Sequence, residues 1–243
     1  MFPLLYHTHH CLHQEDIAYW LELANHTPGS ILELGCGTGR VLLPLARAGH
    51  TCWGLDNDPA MLDYCARQIE PELRAKIHLV QADMRTFQLP EKFGLILLPC
   101  NTLSTLAELD LGHLLKSVFK HLAEGGCFAC SLANPELLRQ MPSTGPEEIE
   151  ETFPHPLDGA PVQVSSAWER DENLFKLTWS YTHLKPGDQA ERIMAQVDHH
   201  LFSAQFYLDQ FKAAGFTNLQ AFGDFQNKPS RKRSSQLIFH AVK

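Results

Sequence analysis

The sequence lacks the features that would direct it to a membrane, a secretory route or a nucleic acid. Residues 1–13 contain no basic start followed by an apolar run, so no signal peptide is expected. No uninterrupted apolar stretch approaches the roughly 18 residues that a membrane-spanning helix needs. The net charge of -8 excludes a chain-wide basic field that would recruit nucleic acid or anionic lipid. We therefore expect a cytoplasmic protein that binds neither membrane nor nucleic acid.

Cysteine and histidine are present, but without the spacing of a disulfide framework or a metal site. Cys127 and Cys130 form a C-x-x-C in an apolar segment, where an offset of three points side chains to opposite faces of a strand. Four histidines crowd residues 7–13 without the fixed spacing of a zinc site on a helix or a finger. The sequence therefore predicts buried, reduced thiols and no bound metal.

Strand and helix signals alternate along the first half of the chain. Apolar runs predict five strands, at 31–34, 51–55, 77–80, 93–98 and 127–132. Helical spacing and short connections lie between most of these runs. The pattern predicts an α/β fold with a doubly wound, mostly parallel seven-stranded sheet and helices on both faces.

The second half of the chain has a different pattern. Residues 141–161 are rich in proline and acid and are expected to form a surface loop. Three antiparallel strands are predicted after it, at 162–168, 174–184 and 193–202. The turn between the last two is expected at Lys185-Pro186-Gly187-Asp188. These strands would form a β-insertion after the fifth strand of the main sheet.

The chain is predicted to be a single domain that ends with a helix and two further strands. Ser203 is expected to cap that helix. The closing strands are predicted at 217–222 and 236–242. The domain is expected to begin with an N-terminal lid helix (1–29) and a donor-binding core (30–140). The loop with its β-insertion (141–202) and the closing helix and strands (203–243) follow.

The strongest functional signal is the segment Glu33-Leu34-Gly35-Cys36-Gly37-Thr38-Gly39, which lies between a predicted strand and a predicted helix. Its glycines let the backbone approach a ligand closely, and the helix N-terminus offers free N–H groups. Dinucleotide-binding enzymes use a similar loop, but with the spacing G-x-G-x-x-G. Glu33 would also oppose a pyrophosphate, whereas it can bind a cationic amine. A nicotinamide-dependent dehydrogenase is therefore the less favoured alternative.

Acids also follow the next two predicted strands. Asp56 stands about 20 residues beyond the loop, where nucleotide-binding folds place an acceptor for ribose hydroxyls. It could instead cap the helix that opens at Pro59, although Asp58 can supply that cap. Asp83 follows the third strand. In this ordered series the chain resembles the class I, Rossmann-like methyltransferases that depend on S-adenosylmethionine, and bacterial small-molecule methyltransferases that include aminosugar N-methyltransferases.

The resemblance implies S-adenosylmethionine as methyl donor and S-adenosylhomocysteine as product, with no metal. Glu33 would lie near the amino group of the donor, and Asp83 would accept the amino hydrogen of adenine. Met61 would contact adenine, or it simply packs in the core. The implied donor-binding residues are Glu33, Gly35, Cys36, Gly37, Asp56, Asn57, Met61, Asp83, Met84, Cys100 and Asn101.

The segment 99–106 follows the fourth strand and should face the ligand crevice of the sheet. It resembles an Asn-Ser/Thr-Leu-x-His-Leu stretch of relatives that methylate small molecules, with Thr105 in the place of a frequent histidine. The residues expected to contact the acceptor are Tyr6, Trp20, Thr105 and Tyr181. No catalytic residue is assigned, and the candidates are Asn101, His199 and His200; for the two histidines, ordinary packing is the favoured explanation.

These features predict methyl transfer to a small-molecule acceptor by in-line displacement, for which alignment of the reactants is the main requirement. The missing histidine favours nitrogen over oxygen as the methylated atom. A methyltransferase of protein or nucleic acid is an alternative that the acidic charge balance disfavours. A donor-binding regulator without catalytic activity is another, because the motifs report binding and not turnover. We expect a monomer or a homodimer.

Overall fold

The computed structural model describes residues 1–187 and 189–243, so Asp188 of the predicted turn lies outside the described residues. The helices are α1 Phe2–His10, α2 Ile17–Asn25, α3 Leu42–Arg47, α4 Pro59–Gln68, α5 Glu108–His121, α6 Pro135–Leu138 and α7 Ala204–Ala213. The first strands are β1 Ile31–Leu34, β2 Cys52–Asp56, β3 Ile77–Gln81, β4 Phe93–Leu98 and β5 Leu122–Ala133. The later strands are β6 Thr144–Pro154, β7 Pro161–Arg170, β8 Leu174–Lys185, β9 Gln189–His200, β10 Thr217–Phe222 and β11 Gln236–Val242.

Seven strands form the main sheet, in the order β10-β11-β5-β4-β1-β2-β3. The pairs from β5 through β3 are parallel, and β11 runs antiparallel to both of its neighbours. Strand order reverses between β1 and β4, which opens a crevice outside the carboxyl ends of these strands. The predicted doubly wound, mostly parallel sheet of seven strands is confirmed.

Helices cover both faces of the main sheet because its central strands are apolar on both sides. Every residue of β1 and of β4 is buried. Leu32 and Leu98 pack on one face with α5 and α7, whereas Ile31 packs on the other with α2, α3 and α4. Cys127 and Cys130 belong to opposite faces, as their spacing predicts. All seven cysteines are free thiols.

The insertion is a separate antiparallel sheet of four strands, in the order β6-β7-β8-β9. The expectation of a loop throughout 141–161 is wrong, because Thr144–Pro154 forms β6. This strand lies at the edge of the insertion and is mostly exposed. Charged side chains on an edge strand discourage pairing with another chain. The acidic residues that suggested a loop therefore lie on an edge strand, where their charge disfavours pairing with another chain.

The N-terminal region, expected to hold one lid helix, forms two helices. Leu5 of α1 is buried against Phe153, Val162, Val164 and Tyr181 of the insertion. The second helix, α2, packs against the main sheet. Within the described residues, no helix is long and apolar enough to cross a bilayer.

Candidate active site

The glycine-rich loop follows β1 at the carboxyl end of the central strand. Gly35, Gly37 and Gly39 have φ values of 63°, 51° and 86°, a region that residues with side chains adopt at a cost. A Cβ on Gly39 would lie 2.7 Å from Cys65 Sγ, so the bare backbone is needed there for packing. No described atom lies within 4 Å of a Cβ built on Gly37. The loop thus presents an open backbone surface at its centre.

Asp56 ends β2 directly beside this loop. Its Oδ2 accepts the N–H of Gly37 at 2.8 Å, and its Oδ1 accepts the N–H of Asp58 at 2.9 Å. The cap of α4 is Asp58, whose Oδ1 accepts the N–H of Ala60 at 2.8 Å. Asp56 is therefore not needed as the cap, and its remaining lone pairs are suited to a pair of hydroxyl donors.

Glu33 is a buried carboxyl group at the end of β1. Its side chain is 3% exposed, and Oε2 has no hydrogen-bond partner among the described residues. Burial raises the pKa of this carboxyl well above its ordinary value, and Arg40 offsets only part of that effect. An unpartnered polar atom in the interior costs free energy. A cationic amine placed beside Oε2 would remove that cost.

Asp83 lies beyond β3 and is paired with Arg85. The distance between Asp83 Oδ2 and Arg85 Nη2 is 2.6 Å, and Arg85 Nη1 also reaches Asp110 at 3.0 Å. Hydrogen bonds from Arg85 hold the pKa of Asp83 below its ordinary value. The carboxylate remains ionised and partly exposed, so it stays able to accept another hydrogen bond.

The other predicted donor contacts differ in how closely they approach the loop. The Met84 methyl lies 3.5 Å from a Cβ built on Gly35, so Met84 flanks the loop directly. Cys36 lies within the loop and is 4% exposed. Asn57 is exposed, whereas Met61 is 9% exposed and packs at the core. The roles of these four side chains toward a donor stay predictions.

Arg40, which sequence reasoning missed, is the central cation of the site. Its Nη1 and Nη2 donate to the two carboxylate oxygens of Asp16, each at 2.6 Å. Nη2 also lies 2.7 Å from Cys100 Sγ. Both members of the ion pair are largely buried, with side chains 13% and 10% exposed. The one available sequence signal was an arginine directly after the third glycine of the loop.

Cys100 and Asn101 follow β4 in the left-handed region, with φ values of 61° and 66°. Such conformations cost about 1–3 kcal/mol each and persist where surrounding contacts hold them. Asn101 Oδ1 accepts the N–H of Ala133 at 2.6 Å, and the N–H of Asn101 donates to the carbonyl oxygen of Ser131 at 3.0 Å. The strained pair is thus fastened to the end of β5, at the mouth of the crevice.

Two cavities meet at this edge of the sheet. The larger, of about 320 Å³, lies between the N-terminal helices and the Cys100–Asn101 pair. The smaller, of about 40 Å³, lies over the glycine-rich loop and is lined by Glu33 and Gly37 among others. The residues that line both cavities are Tyr6, His10, Arg40 and Cys100. We call the larger space the outer cavity and the smaller one the loop cleft.

The structure corrects three of the expected acceptor contacts. Trp20 is fully buried, and its Nε1 donates to Asp16 Oδ2 at 2.9 Å, so it positions Asp16 from within the core. Tyr181 is 1% exposed, with its hydroxyl 3.0 Å from His9 Nδ1. Thr105 uses its hydroxyl to donate to the carbonyl oxygen of Thr102 at 2.8 Å. Of the expected four, Tyr6 is the one that lines the outer cavity and the loop cleft.

The candidate catalytic histidines lie apart from the outer cavity. His199 and His200 line a separate space of about 90 Å³ next to Ser104. His199 Nδ1 is 2.9 Å from Ser104 Oγ, and His200 stacks on Phe202. These contacts correct the idea that either histidine acts as a base in the outer cavity. Asn101 borders both spaces, but its Oδ1 is already engaged with the backbone.

His10 is the histidine that does border the outer cavity and the loop cleft. Its ring stacks on Tyr6 with 3.8 Å between ring centroids, and its Nδ1 is 3.0 Å from the Tyr6 carbonyl oxygen. Burial lowers the pKa of His10 to about 4. The imidazole is therefore neutral and only weakly basic at neutral pH.

Comparison with known proteins agrees with this geometry. Residues 31–126 match a family model described as a methyltransferase domain. The chain is 25% identical over 230 residues to YqeM of Bacillus subtilis strain 168, which covers 92% of this chain and 88% of YqeM.

Solved structures share the fold over nearly the full chain. A S-adenosylmethionine-dependent methyltransferase from Clostridium acetobutylicum ATCC 824 has a TM-score of 0.79 at 18% identity, covering 94% of this chain and 91% of its own. The sugar N-methyltransferase KedS8 from Streptoalloteichus sp ATCC 53650 has a TM-score of 0.74 at 19% identity, covering 94% and 87%. Residues 31–126 thus match a methyltransferase domain, and nearly the whole chain shares the fold of S-adenosylmethionine-dependent methyltransferases. The resemblance drawn from its motifs is thereby confirmed.

Proposed function

We propose that the protein methylates a small-molecule acceptor, preferentially at nitrogen, and that the acceptor binds in the outer cavity. The observation that carries this proposal is that Tyr6, His10, Arg40 and Cys100 line both the outer cavity and the loop cleft. A donor bound in the loop cleft would therefore lie next to an acceptor bound in the outer cavity, with these side chains between them. A small molecule fits a cavity of about 320 Å³, whereas a protein or nucleic-acid strand needs an open groove.

Residues in and beside the loop cleft fit the donor chemically. The unpartnered Oε2 of Glu33, which lines the cleft, suits an ammonium group, and Asp56, bonded to the N–H of Gly37, suits vicinal hydroxyls. The open surface at Gly37 allows a ligand to approach the backbone. The cleft is nevertheless far smaller than the roughly 300–1,000 Å³ of typical ligand sites, because Tyr6 and Arg40 reach into it. We infer that α1 shifts outward to admit the donor and returns over it.

The preference for nitrogen rests on the groups that border the outer cavity. When bound, S-adenosylmethionine supplies a methyl group that its sulfonium already makes electrophilic. An amine needs only to arrive unprotonated, whereas a hydroxyl gains from a general base. His10, with its pKa near 4, is a poor base for a hydroxyl. Glu15 borders the cavity as well, and its carboxylate can accept a hydrogen bond from the N–H of a neutral amine.

Labelled donor and mass spectrometry test this function directly. The protein is incubated with methyl-labelled S-adenosylmethionine and two metabolite pools, one enriched in amines and one in hydroxyl compounds without amines. We expect label in products of the amine pool. Label confined to the hydroxyl pool would contradict the preference for nitrogen. If the protein binds the donor but transfers no label to either pool, to protein or to nucleic acid, it is instead a donor-binding regulator.

Calorimetry should show binding of S-adenosylmethionine and S-adenosylhomocysteine but not of NAD. Asp56→Ala should weaken donor affinity by about 1.5–3 kcal/mol, the scale of hydrogen bonds to a charged acceptor. Asp58→Ala is the matched control, because it removes the cap of α4 and should cost about 1 kcal/mol of stability with donor affinity kept. Equal donor affinity in the Asp56 and wild-type proteins would show that Asp56 serves only the loop backbone.

Donor binding should also release a proton from Glu33. Burial keeps this carboxyl protonated well above its ordinary pKa, whereas a neighbouring ammonium favours the carboxylate. Affinity should therefore fall as the pH falls through the raised pKa and should level off above it. Calorimetry in two buffers of different ionisation enthalpy measures the released proton. Glu33→Gln should abolish the release; an unchanged release in that variant would place the proton elsewhere.

A further inference from the structure

Two imidazoles and a carboxylate meet where the end of α1 approaches the edge strand β6. His9, His13 and Glu151 each offer one ligand atom, and these three atoms lie within 4.8 Å of one another. His13 Nε2 is 3.1 Å from Glu151 Oε1. The His9 and His13 rings are 5.7 Å apart at an angle of 78°, so their planes cross and do not stack. Crossed rings allow the lone pairs of two nitrogens to converge on one point.

The cluster contains a buried polar atom that the protein itself does not satisfy. Glu151 Oε2 is buried without a hydrogen-bond partner among the described residues. Buried carboxylate oxygens normally have a partner, so an orphan of this kind points to a group that binds there. A cation shared with the two imidazoles would satisfy it.

A hydrogen bond from outside the cluster orients the His9 ring. The Tyr181 hydroxyl lies 3.0 Å from His9 Nδ1 and so fixes the orientation of the ring. Hydrogen bonds of this type orient the histidine ligands of metal sites.

We propose that His9, His13 and Glu151 bind a divalent first-row transition metal ion, such as Zn²⁺, that ties α1 to β6. Imidazole and carboxylate groups are ligands of these ions. In a tetrahedral site with bonds near 2.0–2.1 Å, ligand atoms lie roughly 3.3 Å apart, close to the His13–Glu151 separation. Water would complete the coordination. The ion has a structural role, because methyl transfer from a sulfonium needs no Lewis acid.

The N-terminal histidines, considered alone, do not predict this site, because its third ligand comes from the β-insertion. His9 and His13 are close in the chain, but Glu151 belongs to a segment that was expected to be a loop. The correction of that segment to β6 is what brings the carboxylate to the histidines.

Cobalt titration of the untagged, full-length protein after removal of metals tests the proposal. Tetrahedral Co²⁺ absorbs visible light, so binding is read without any assay of methyl transfer. We expect one Co²⁺ per chain, displacement by Zn²⁺ and a rise in Tm on addition of Zn²⁺. Glu151→Gln should lower Co²⁺ affinity by at least about 100-fold, beyond the 10- to 100-fold range of changes to outer contacts. Tyr181→Phe should fall within that range.

Two control variants separate this site from other sources of binding. Glu148→Gln changes an exposed acid on the same strand and should leave Co²⁺ affinity unchanged. His183→Ala disrupts a second cluster, His155, Asp158 and His183, whose imidazole rings stack 4.0 Å apart at 11°. Absence of Co²⁺ binding would overturn the proposal. So would affinity that survives Glu151→Gln and is lost in His183→Ala, with circular dichroism confirming that each variant is folded.

Discussion

Arg40→Met is expected to lower the free energy of unfolding by about 3–5 kcal/mol, the usual cost of removing one partner from a buried ion pair. Asp16 would keep its charge in a place where its carboxylate is largely buried, with only the Trp20 indole as a remaining donor among the described side chains. Urea denaturation, followed by circular dichroism, measures the change. The loss should appear as a lower midpoint with an unchanged slope.

Two further variants test whether the loss of stability arises from burial of the ion pair. Arg47→Met breaks a similar ion pair with Glu70, but those side chains are 52% and 36% exposed, so the cost in stability should be much smaller. Adding Asp16→Asn to Arg40→Met removes the orphaned charge and should recover part of the lost stability. Equal effects of Arg40→Met and Arg47→Met would show that the Arg40 pair is solvated in solution.

The placement of the acids at the strand ends could be predicted because it depends on local rules, whereas their roles toward a donor stay predictions. A parallel sheet collects the carboxyl ends of its strands at one edge, so the acids after β1, β2 and β3 must lie near each other. The sequence also distinguishes the role of Asp58 from that of Asp56. Proline is favoured at the first position of a helix, so the residue directly before Pro59 is expected to be the cap. The structure confirms that Asp58 is the cap of α4.

The acceptor side could not be predicted because it is made of contacts between distant segments. Arg40 finds Asp16 across 24 positions of the chain, and that pairing leaves no local signature. In the sequence, Trp20 and Tyr6 are both large aromatic residues near the N-terminus. In the structure Trp20 is fully buried, so it cannot contact an acceptor. The strand β6 escaped detection because an edge strand needs no continuous apolar face. Composition and spacing cannot predict a site whose residues are brought together by packing between distant segments.

Tyr6→Ala is expected to lower kcat for methyl transfer by about 100-fold while donor affinity is kept or increased. Tyr6 stands where the outer cavity meets the loop cleft, stacked on His10. Removing the ring enlarges the cleft, which eases donor entry. It also admits water and loosens the alignment of the reactants, and a misplacement of about 1 Å can cost about 100-fold in rate. Single-turnover kinetics and calorimetric titration measure the two quantities separately.

Tyr6→Phe is the conservative control for this prediction, because it keeps the ring that separates the two spaces. Its kcat should stay close to that of the wild type. Deleting residues 1–13 is a harsher test, since it also removes Leu5 from its contacts with Phe153, Val162 and Tyr181 and so exposes apolar surface of the insertion. A Tyr6→Ala protein that loses donor affinity and keeps kcat would show that Tyr6 belongs to the donor site. In that case α1 is a fixed wall of the cleft and not a lid that closes over the bound donor.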